Sequence, residues 1–189
     1  MNETNEQRRF TQRGFTLPEI MIAVSVLAIL VVMATPSLLN TSRNSQIRAV
    51  ATSWHDGLFQ ARIEAIQRNA QVTFCPGAPS TSADWSLILT AVDPSCQTAT
   101  PFRQYNAGSM LAGHIQVALP NNASATYDGT GRMVPLSGNF VARFTIDSGT
   151  CVASGGPMRC LSVEATGGYV RTCDPSAAAT SPSSCKAGG

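Results

Sequence analysis

Six cysteines and one isolated carboxylate are the residues of this chain whose types and positions invite chemistry. Cys75, Cys96, Cys151, Cys160, Cys173 and Cys185 all lie downstream of a long apolar run, and no two form a CxxC pair. Structural metal sites gather closely spaced Cys and His ligands. The two histidines, His55 and His114, sit far from any cysteine cluster, so no metal is expected. An even number of cysteines confined to one side of an apolar run instead reads as disulfides formed in an oxidising compartment. Pairing of sequence neighbours is one of many connectivities that six cysteines allow. It would join Cys75 to Cys96, tying a first strand to a loop after the second. It would join Cys151 to Cys160 across a Gly-rich hairpin loop, and Cys173 to Cys185, holding down the small polar tail Pro175–Gly189. The chain carries no GxSxG, HExxH, P-loop or dinucleotide fingerprint, and its outer acidic residues are scattered singly. No catalytic residue and no cofactor are expected, and both histidines read as structural.

The isolated carboxylate is Glu19, at the start of the apolar run Leu17–Leu39, LPEIMIAVSVLAILVVMATPSLL. As a helix this run would extend about 34 Å, enough for a hydrocarbon core of about 30 Å. Arg8, Arg9 and Arg13 precede it, which places the N-terminus in the cytoplasm and everything beyond Leu39 outside. A secretory signal would have a shorter apolar core and a small-residue cleavage site, for which Ala34 is a weak candidate. A plain anchor fits the length but leaves Glu19 without a role, since a carboxylate placed deep in lipid costs on the order of a few kcal/mol.

The string Arg13 to Glu19, RGFTLPE, resembles the processing motif of type IV pilins and of the related pseudopilins of type II secretion. The resemblance implies that a prepilin peptidase/N-methyltransferase cuts after Gly14 and methylates the new terminus, Phe15. It also implies an assembly role for Glu19 and a helix kink at Pro36. Elementary physics agrees with these roles. Glycine lets backbone enter a protease cleft unobstructed. In a filament, Glu19 can neutralise the terminal amine of a neighbour, turning two costly groups into one pair. Pro18 falls in the first turn, where a missing N–H costs nothing. Pro36 is interior, where proline bends a helix.

The elements that must position these residues follow from periodicity. Ile47, Val50, Trp54, Leu58, Ala61 and Ala65 recur at steps of three or four, a stripe expected to pack on the chain's own outer domain. Arg48, Asp56, Gln60, Arg62, Glu64 and Gln67 lie largely off it. A continuous helix over Phe15–Asn69 would be about 80 Å long. Gly57 costs such a helix about 1 kcal/mol relative to alanine, and a short break there is one expectation. The segment Leu58–Cys75, with its ARxEAIxRN core, resembles the GspH/FimT group of minor pilins and pseudopilins. Strands are expected at Gln71–Phe74, Trp85–Ala91, Ile115–Leu119, Ala125–Tyr127, Phe140–Ile146, Cys160–Ala165 and Tyr169–Thr172. Turn-rich stretches at Pro76–Ala83, Pro120–Ala123, Asp128–Arg132 and Ser154–Pro157 separate them. The expected fold is α+β, a long N-terminal helix packed on an antiparallel β domain with disulfides. Its parts are a leader over 1–14, a membrane-spanning half-helix over 15–39, an amphipathic half-helix over 40–70 and a β-rich periplasmic domain over 71–189.

Net charge is +2, and loss of Met1–Gly14 leaves the mature chain near +1, so bulk charge selects no partner. The resemblance implies a minor pilin or pseudopilin, a structural subunit that helps initiate or cap a type IV pilus or type II secretion pseudopilus. Its implied partners are the peptidase, the inner membrane and other minor and major pilins or pseudopilins. A second function, DNA capture, is also implied, because some FimT-like pilins carry Gly-Arg-x-Arg near the C-terminus. Here the stretch is Gly168-Tyr169-Val170-Arg171, with tyrosine in place of the first arginine. Arg171 would hold phosphate, helped by Arg132, Arg143 and Arg159, while Tyr169 is expected to pack on its sheet. The departure from the motif makes nucleic acid the less favoured partner.

Overall fold

The computed structural model describes residues 15–77, 83–90, 96, 100–108, 115–120, 124–135, 139–146 and 160–185, without the side chains of 34–37, 39 and 40. The leader, Gly14, His114, Cys151, Arg159, the side chain of Pro36 and the turn Ser154–Pro157 therefore lie outside the described residues.

One helix, α1, runs from Leu17 to Arg68. It starts where the carbonyl of Thr16 accepts the amides of Glu19 and Ile20 at 3.1 and 3.2 Å. Glu19 in the first turn and Arg68 in the last both complement the helix dipole. At the far end Asn69 turns left-handed at φ 46°. Its amide bonds to Ile66 O at 3.2 Å, and the next amide, of Ala70, reaches back to Ala65 O at 3.2 Å. That double closure is a Schellman stop, in which asparagine tolerates the left-handed geometry better than most side chains. The break considered at Gly57 does not occur: α1 is continuous through it. The reason is packing. A Cβ at position 57 would lie 2.8 Å from both Phe74 Cε2 and Trp85 Cε2, so the missing side chain admits two rings.

The chain divides into two units, Met1–Leu39 and Asn40–Gly189. In the first, every described side chain from Phe15 to Met33 is exposed, most of them apolar. Among the described residues, no helix is long and apolar enough to cross a membrane. The described apolar side chains Leu17–Met33 amount to about 25 Å of helix, short of a hydrocarbon core of about 30 Å.

Among the described residues, the second unit contains two antiparallel sheets. Strands β1 (Val72–Pro76), β2 (Trp85–Leu89), β3 (Arg103–Tyr105), β5 (Ala125–Tyr127) and β6 (Met133–Val134) form one, in the order β3-β2-β1-β5-β6. Strands β4 (Ile115–Ala118), β7 (Asn139–Ile146), β8 (Leu161–Thr166) and β9 (Tyr169–Cys173) form the other, in the order β4-β7-β8-β9. The register of β7 on β8 runs from Asn139↔Thr166 to Phe144↔Leu161. Two strands, β3 and β6, were not expected from the sequence, and the remaining seven fall where expected to within two residues.

All six expected stripe residues of α1 are buried and form one core with residues from both sheets. Trp54 is its centre. Its ring meets Phe74 of the first sheet at 5.3 Å and Phe144 of the second at 5.2 Å, both edge-on. Its indole N–H donates to Ala83 O at 2.8 Å, so the buried polar end is satisfied. Trp85 extends the cluster, stacked on Phe74 at 5.5 Å and on Tyr105 at 5.9 Å, and its N–H donates to Ser53 Oγ at 3.0 Å.

Candidate functional site

The residues implicated in processing and assembly stand at the start of α1. Phe15 is 77% exposed, and Glu19 is exposed one turn into the helix. Pro36 lies within the helical backbone.

The group signature at the other end of α1 turns out to be a splice between helix and β domain. Ala61 and Ala65 are fully buried, small enough to let α1 settle on the sheets. Arg62 Nη1 donates to Gly168 O at 2.9 Å in the β8–β9 turn. Gly168 sits at φ 107°, and a Cβ there would lie 2.8 Å from Gly131 O, so the turn and the Asp128–Arg132 loop close on each other only through glycine. Glu64 accepts from Arg68 Nε at 2.8 Å and faces Arg103 of β3 at 3.9 Å. The Arg68 guanidinium in turn lies 4.4 Å from the centre of the Phe102 ring. The signature therefore marks structure, with Arg62 spent on the β8–β9 turn and Glu64 facing β3.

Beneath this splice, Arg62 Nε and Tyr127 Oη are buried without a hydrogen-bond partner among the described residues. Burial pushes the Tyr127 hydroxyl above its ordinary range, and the nearby Arg62 charge opposes the shift. The adjoining loop is ordered by Asp128. Its Oδ1 accepts from Thr130 Oγ1 at 2.6 Å, Thr130 N at 2.9 Å and Arg132 N at 3.0 Å. The Thr130 hydroxyl first, and then the Arg132 amide, hold the Asp128 carboxyl below its usual value.

The disulfides pin loops and tail. Cys75 is bonded to Cys96 and Cys173 to Cys185, with Cα–Cα distances of 5.8 and 5.0 Å. Cys160 is disulfide-bonded too, and Cys151, its expected partner, lies outside the described residues. Glu164 stands with Cys173 and Cys185, their ligand atoms all within 4.8 Å. A metal would need thiolates there, and the two sulfurs are already joined to each other. His55 makes a 3.3 Å contact with its neighbour Asp56 at the surface.

Arg171 is committed within the domain. Its Nε and Nη2 both donate to Glu164 Oε2, at 2.9 and 2.7 Å, and Nη2 also donates to Cys185 O at 3.1 Å. Tyr169, expected to pack on the sheet, is instead 72% exposed, because it opens the edge strand β9 beside the Gly167–Gly168 turn. Glu164, Thr166, Tyr169 and Arg171 line a surface depression of about 280 Å³. A second hollow of about 310 Å³ lies between α1 and the tail, reaching Ile47, Arg48, Leu161, Asp174 and Ser183.

Sequence reasoning passed over one feature of α1. Phe59, Ile63 and Ile66, at steps of four and three, are 49%, 36% and 48% exposed on the side away from the buried stripe. Their spacing was the available signal.

Comparison with known proteins gives the arrangement its relatives. The family model described as type II transport protein GspH matches residues 50–167, and that of the prokaryotic N-terminal methylation motif matches residues 9–35. No curated protein sequence matches the chain. Among solved structures, the type IV minor pilin FimU of Pseudomonas aeruginosa is similar at 18% identity and a TM-score of 0.50, over 69% of this chain and 90% of that one. The minor pseudopilin EpsH from the type 2 secretion system of Vibrio cholerae is similar at 12% identity and a TM-score of 0.49, over 70% of this chain and 99% of that one. At 18% identity the likeness to FimU speaks for fold alone. The GspH match, which covers well over half of the sequence, decides the family: the chain belongs to the GspH family of minor pilins and pseudopilins.

Proposed function

We propose that this protein is a structural subunit that helps initiate or cap a type IV pilus or type II secretion pseudopilus. The observation that carries the reading is the run of exposed apolar side chains from Phe15 to Met33 on α1, interrupted early by the single carboxylate of Glu19. Such a surface is costly in water and needs either lipid or other apolar helices around it. The prepilin peptidase cuts after Gly14 and methylates Phe15. The apolar run, extended by the sequence to Leu39, then holds the chain in the inner membrane with its β domain in the periplasm. On assembly the same surface moves from lipid into a bundle with the helices of other pilins or pseudopilins. Glu19 pairs with the terminal amine of a neighbouring subunit, which cancels two charges that the bundle interior would otherwise penalise. Pro36 gives α1 a point at which to bend. No reaction is assigned to this subunit.

DNA capture is the weaker reading, because the Arg171 guanidinium already serves Glu164 and the Cys185 carbonyl. A phosphate would have to displace a partly buried carboxylate partner to reach it.

The test is mass spectrometry of the native protein together with filament recovery from a Glu19→Ala strain. The expected mature chain begins at N-methylated Phe15, and the variant is processed but absent from sheared filaments. A mature chain that starts after Ala34, or normal incorporation of the variant, defeats the proposal.

A further inference from the structure

Strand alternation puts Glu164 and Thr166 of β8 and Tyr169 and Arg171 of β9 on one face, as the cross-strand pairs Glu164↔Arg171 and Thr166↔Tyr169. Val163 and Ala165, between them on β8, fill the core, so this is the outer face of the sheet. The four residues line the depression of about 280 Å³. Tyr169 offers it a ring that is 72% exposed. The polar groups beside the ring are held in place. Arg171 donates twice to Glu164 Oε2, at 2.9 and 2.7 Å, and once to Cys185 O at 3.1 Å. The Glu164 carboxylate also stands within 4.8 Å of the joined sulfurs of Cys173 and Cys185. Among the described residues, Glu164 Oε1 and the Thr166 hydroxyl make no hydrogen bond and remain open to a ligand. The lining carries one carboxylate and one guanidinium, already paired, and so no net charge. The other charged groups of the adjoining elements stand outside the lining: Arg143 on β7 opposite Ser162, Asp128 and Arg132 in the loop that meets Gly168, and Arg62 bound to the Gly168 carbonyl.

We propose that this depression is a saccharide subsite, in which one ring of a neutral, β-linked pyranose chain stacks on Tyr169 while its hydroxyls reach Glu164 Oε1 and Thr166 Oγ1. A pyranose with equatorial substituents presents a flat C–H face edged by hydroxyls. One exposed aromatic ring beside fixed acceptors is the complementary surface, since the tyrosine face is apolar and its surroundings are wet. The volume falls just below the roughly 300 Å³ at which pockets for drug-sized ligands begin, which suits a single sugar unit of a chain that continues along the open surface. A peptide anchored on Tyr169 would need a second apolar hollow, and the other described lining residues are all polar. A phosphate chain would need an unengaged cation in the lining, and Arg171 already serves Glu164 and Cys185. The rigid Glu164–Arg171 pair lowers the ordering cost of binding, because its geometry is set before the ligand arrives.

Isothermal titration calorimetry and saturation-transfer NMR on the full-length protein, in a detergent without a sugar headgroup, test this directly. The probes are cellotetraose, laminaritetraose and chitotetraose, with a hyaluronan tetrasaccharide and a single-stranded oligonucleotide as charged competitors. At least one neutral tetrasaccharide should bind, with an affinity that salt leaves unchanged because no net charge is involved. Tyr169→Ala should weaken that binding about tenfold, whereas Tyr169→Phe, which keeps the stacking face, should stay within about twofold of wild type. Thr166→Val, which keeps the shape and removes the hydroxyl, should weaken it about threefold. Both positions are exposed, so the unfolding midpoints should match wild type; if Tyr169→Ala melts lower, Tyr169→Ser replaces it with the same expected loss. Absence of binding by all the neutral sugars overturns the proposal, as does an affinity that Tyr169→Ala leaves unchanged. Salt-sensitive binding of the hyaluronan fragment or the oligonucleotide in preference to the neutral chains overturns it as well. None of these outcomes depends on whether the subunit enters a filament.

Discussion

Replacing Gly57 by alanine sets helix propensity against packing, and the two forces predict opposite signs. In the middle of a helix, alanine is favoured over glycine by about 1 kcal/mol. In α1 the new methyl would sit 2.8 Å from Phe74 Cε2 and 2.8 Å from Trp85 Cε2. Neither ring can withdraw easily. Phe74 is wedged between Trp54 at 5.3 Å and Trp85 at 5.5 Å, while Trp85 is backed by Tyr105 at 5.9 Å and anchored to Ser53 Oγ at 3.0 Å. Overpacking of a filled core costs about 1–3 kcal/mol. The net expectation for Gly57→Ala is a loss centred on about 1 kcal/mol, which lowers the melting midpoint of a chain of this size by about 2–4 °C. Gly57→Val adds two further methyl groups and should lose more. Thermal and denaturant unfolding of the purified full-length protein, followed by circular dichroism at unchanged m-value, measures both variants. An alanine variant that melts above wild type would refute the reasoning, because propensity would then have prevailed over the ring contacts.

Tyr127→Phe should leave stability unchanged or raise it by up to about 1–3 kcal/mol, since the hydroxyl it removes is buried without a partner among the described residues; a clear loss in denaturant unfolding would show that something bonds it. The Cys173→Ser, Cys185→Ser double variant opens a loop with a sequence separation of 12. Loop-closure entropy puts that loss at about 3 kcal/mol, with faster proteolysis of the tail beyond Cys173; an unchanged cleavage rate would contradict it. Asp128 has a depressed folded-state value, so its stabilising contribution is complete above the ordinary carboxylate range and fades as pH falls through the folded value. The stability difference between wild type and Asp128→Asn should therefore shrink as unfolding is measured at progressively more acid pH, and a difference that grows toward acid would reverse the assignment.

The legible parts of this fold were those where one periodicity ruled. Ile47, Val50, Trp54, Leu58, Ala61 and Ala65 announce a buried helix face because a stripe of that width has one explanation. Strand β7 reads easily from the alternation of Phe140, Ala142 and Phe144 with outward neighbours. Strand β3 could not be read: its three residues are polar or half-exposed, and only the pairing with β2 makes them a strand. Strand β6 is two residues long and carries no period at all. Gly57 was misjudged because local propensity says nothing of rings arriving from strands β1 and β2. The engagement of Arg171 depends on Glu164, seven residues earlier but directly opposite across the β8–β9 pairing. The outward ridge of Phe59, Ile63 and Ile66 was visible as a spacing and was overlooked because the neighbouring stripe accounted for the helix on its own.

The links between the outer half of α1 and its two sheets also say how the domain would bear a load. Ser53 and Trp54 hold the first sheet through Trp85 and the Ala83 carbonyl, Gln60 and Glu64 reach β3 through Arg103, and Arg62 grips the turn of the second sheet. These attachments are spread over about three turns of helix. A tug along the helix axis therefore strains them side by side, as in a lap joint, and divides the force between both sheets. Peeling from the Asn69 end would break them one at a time. A subunit gripped by its helix and dragged by its head resists better in the first direction than in the second.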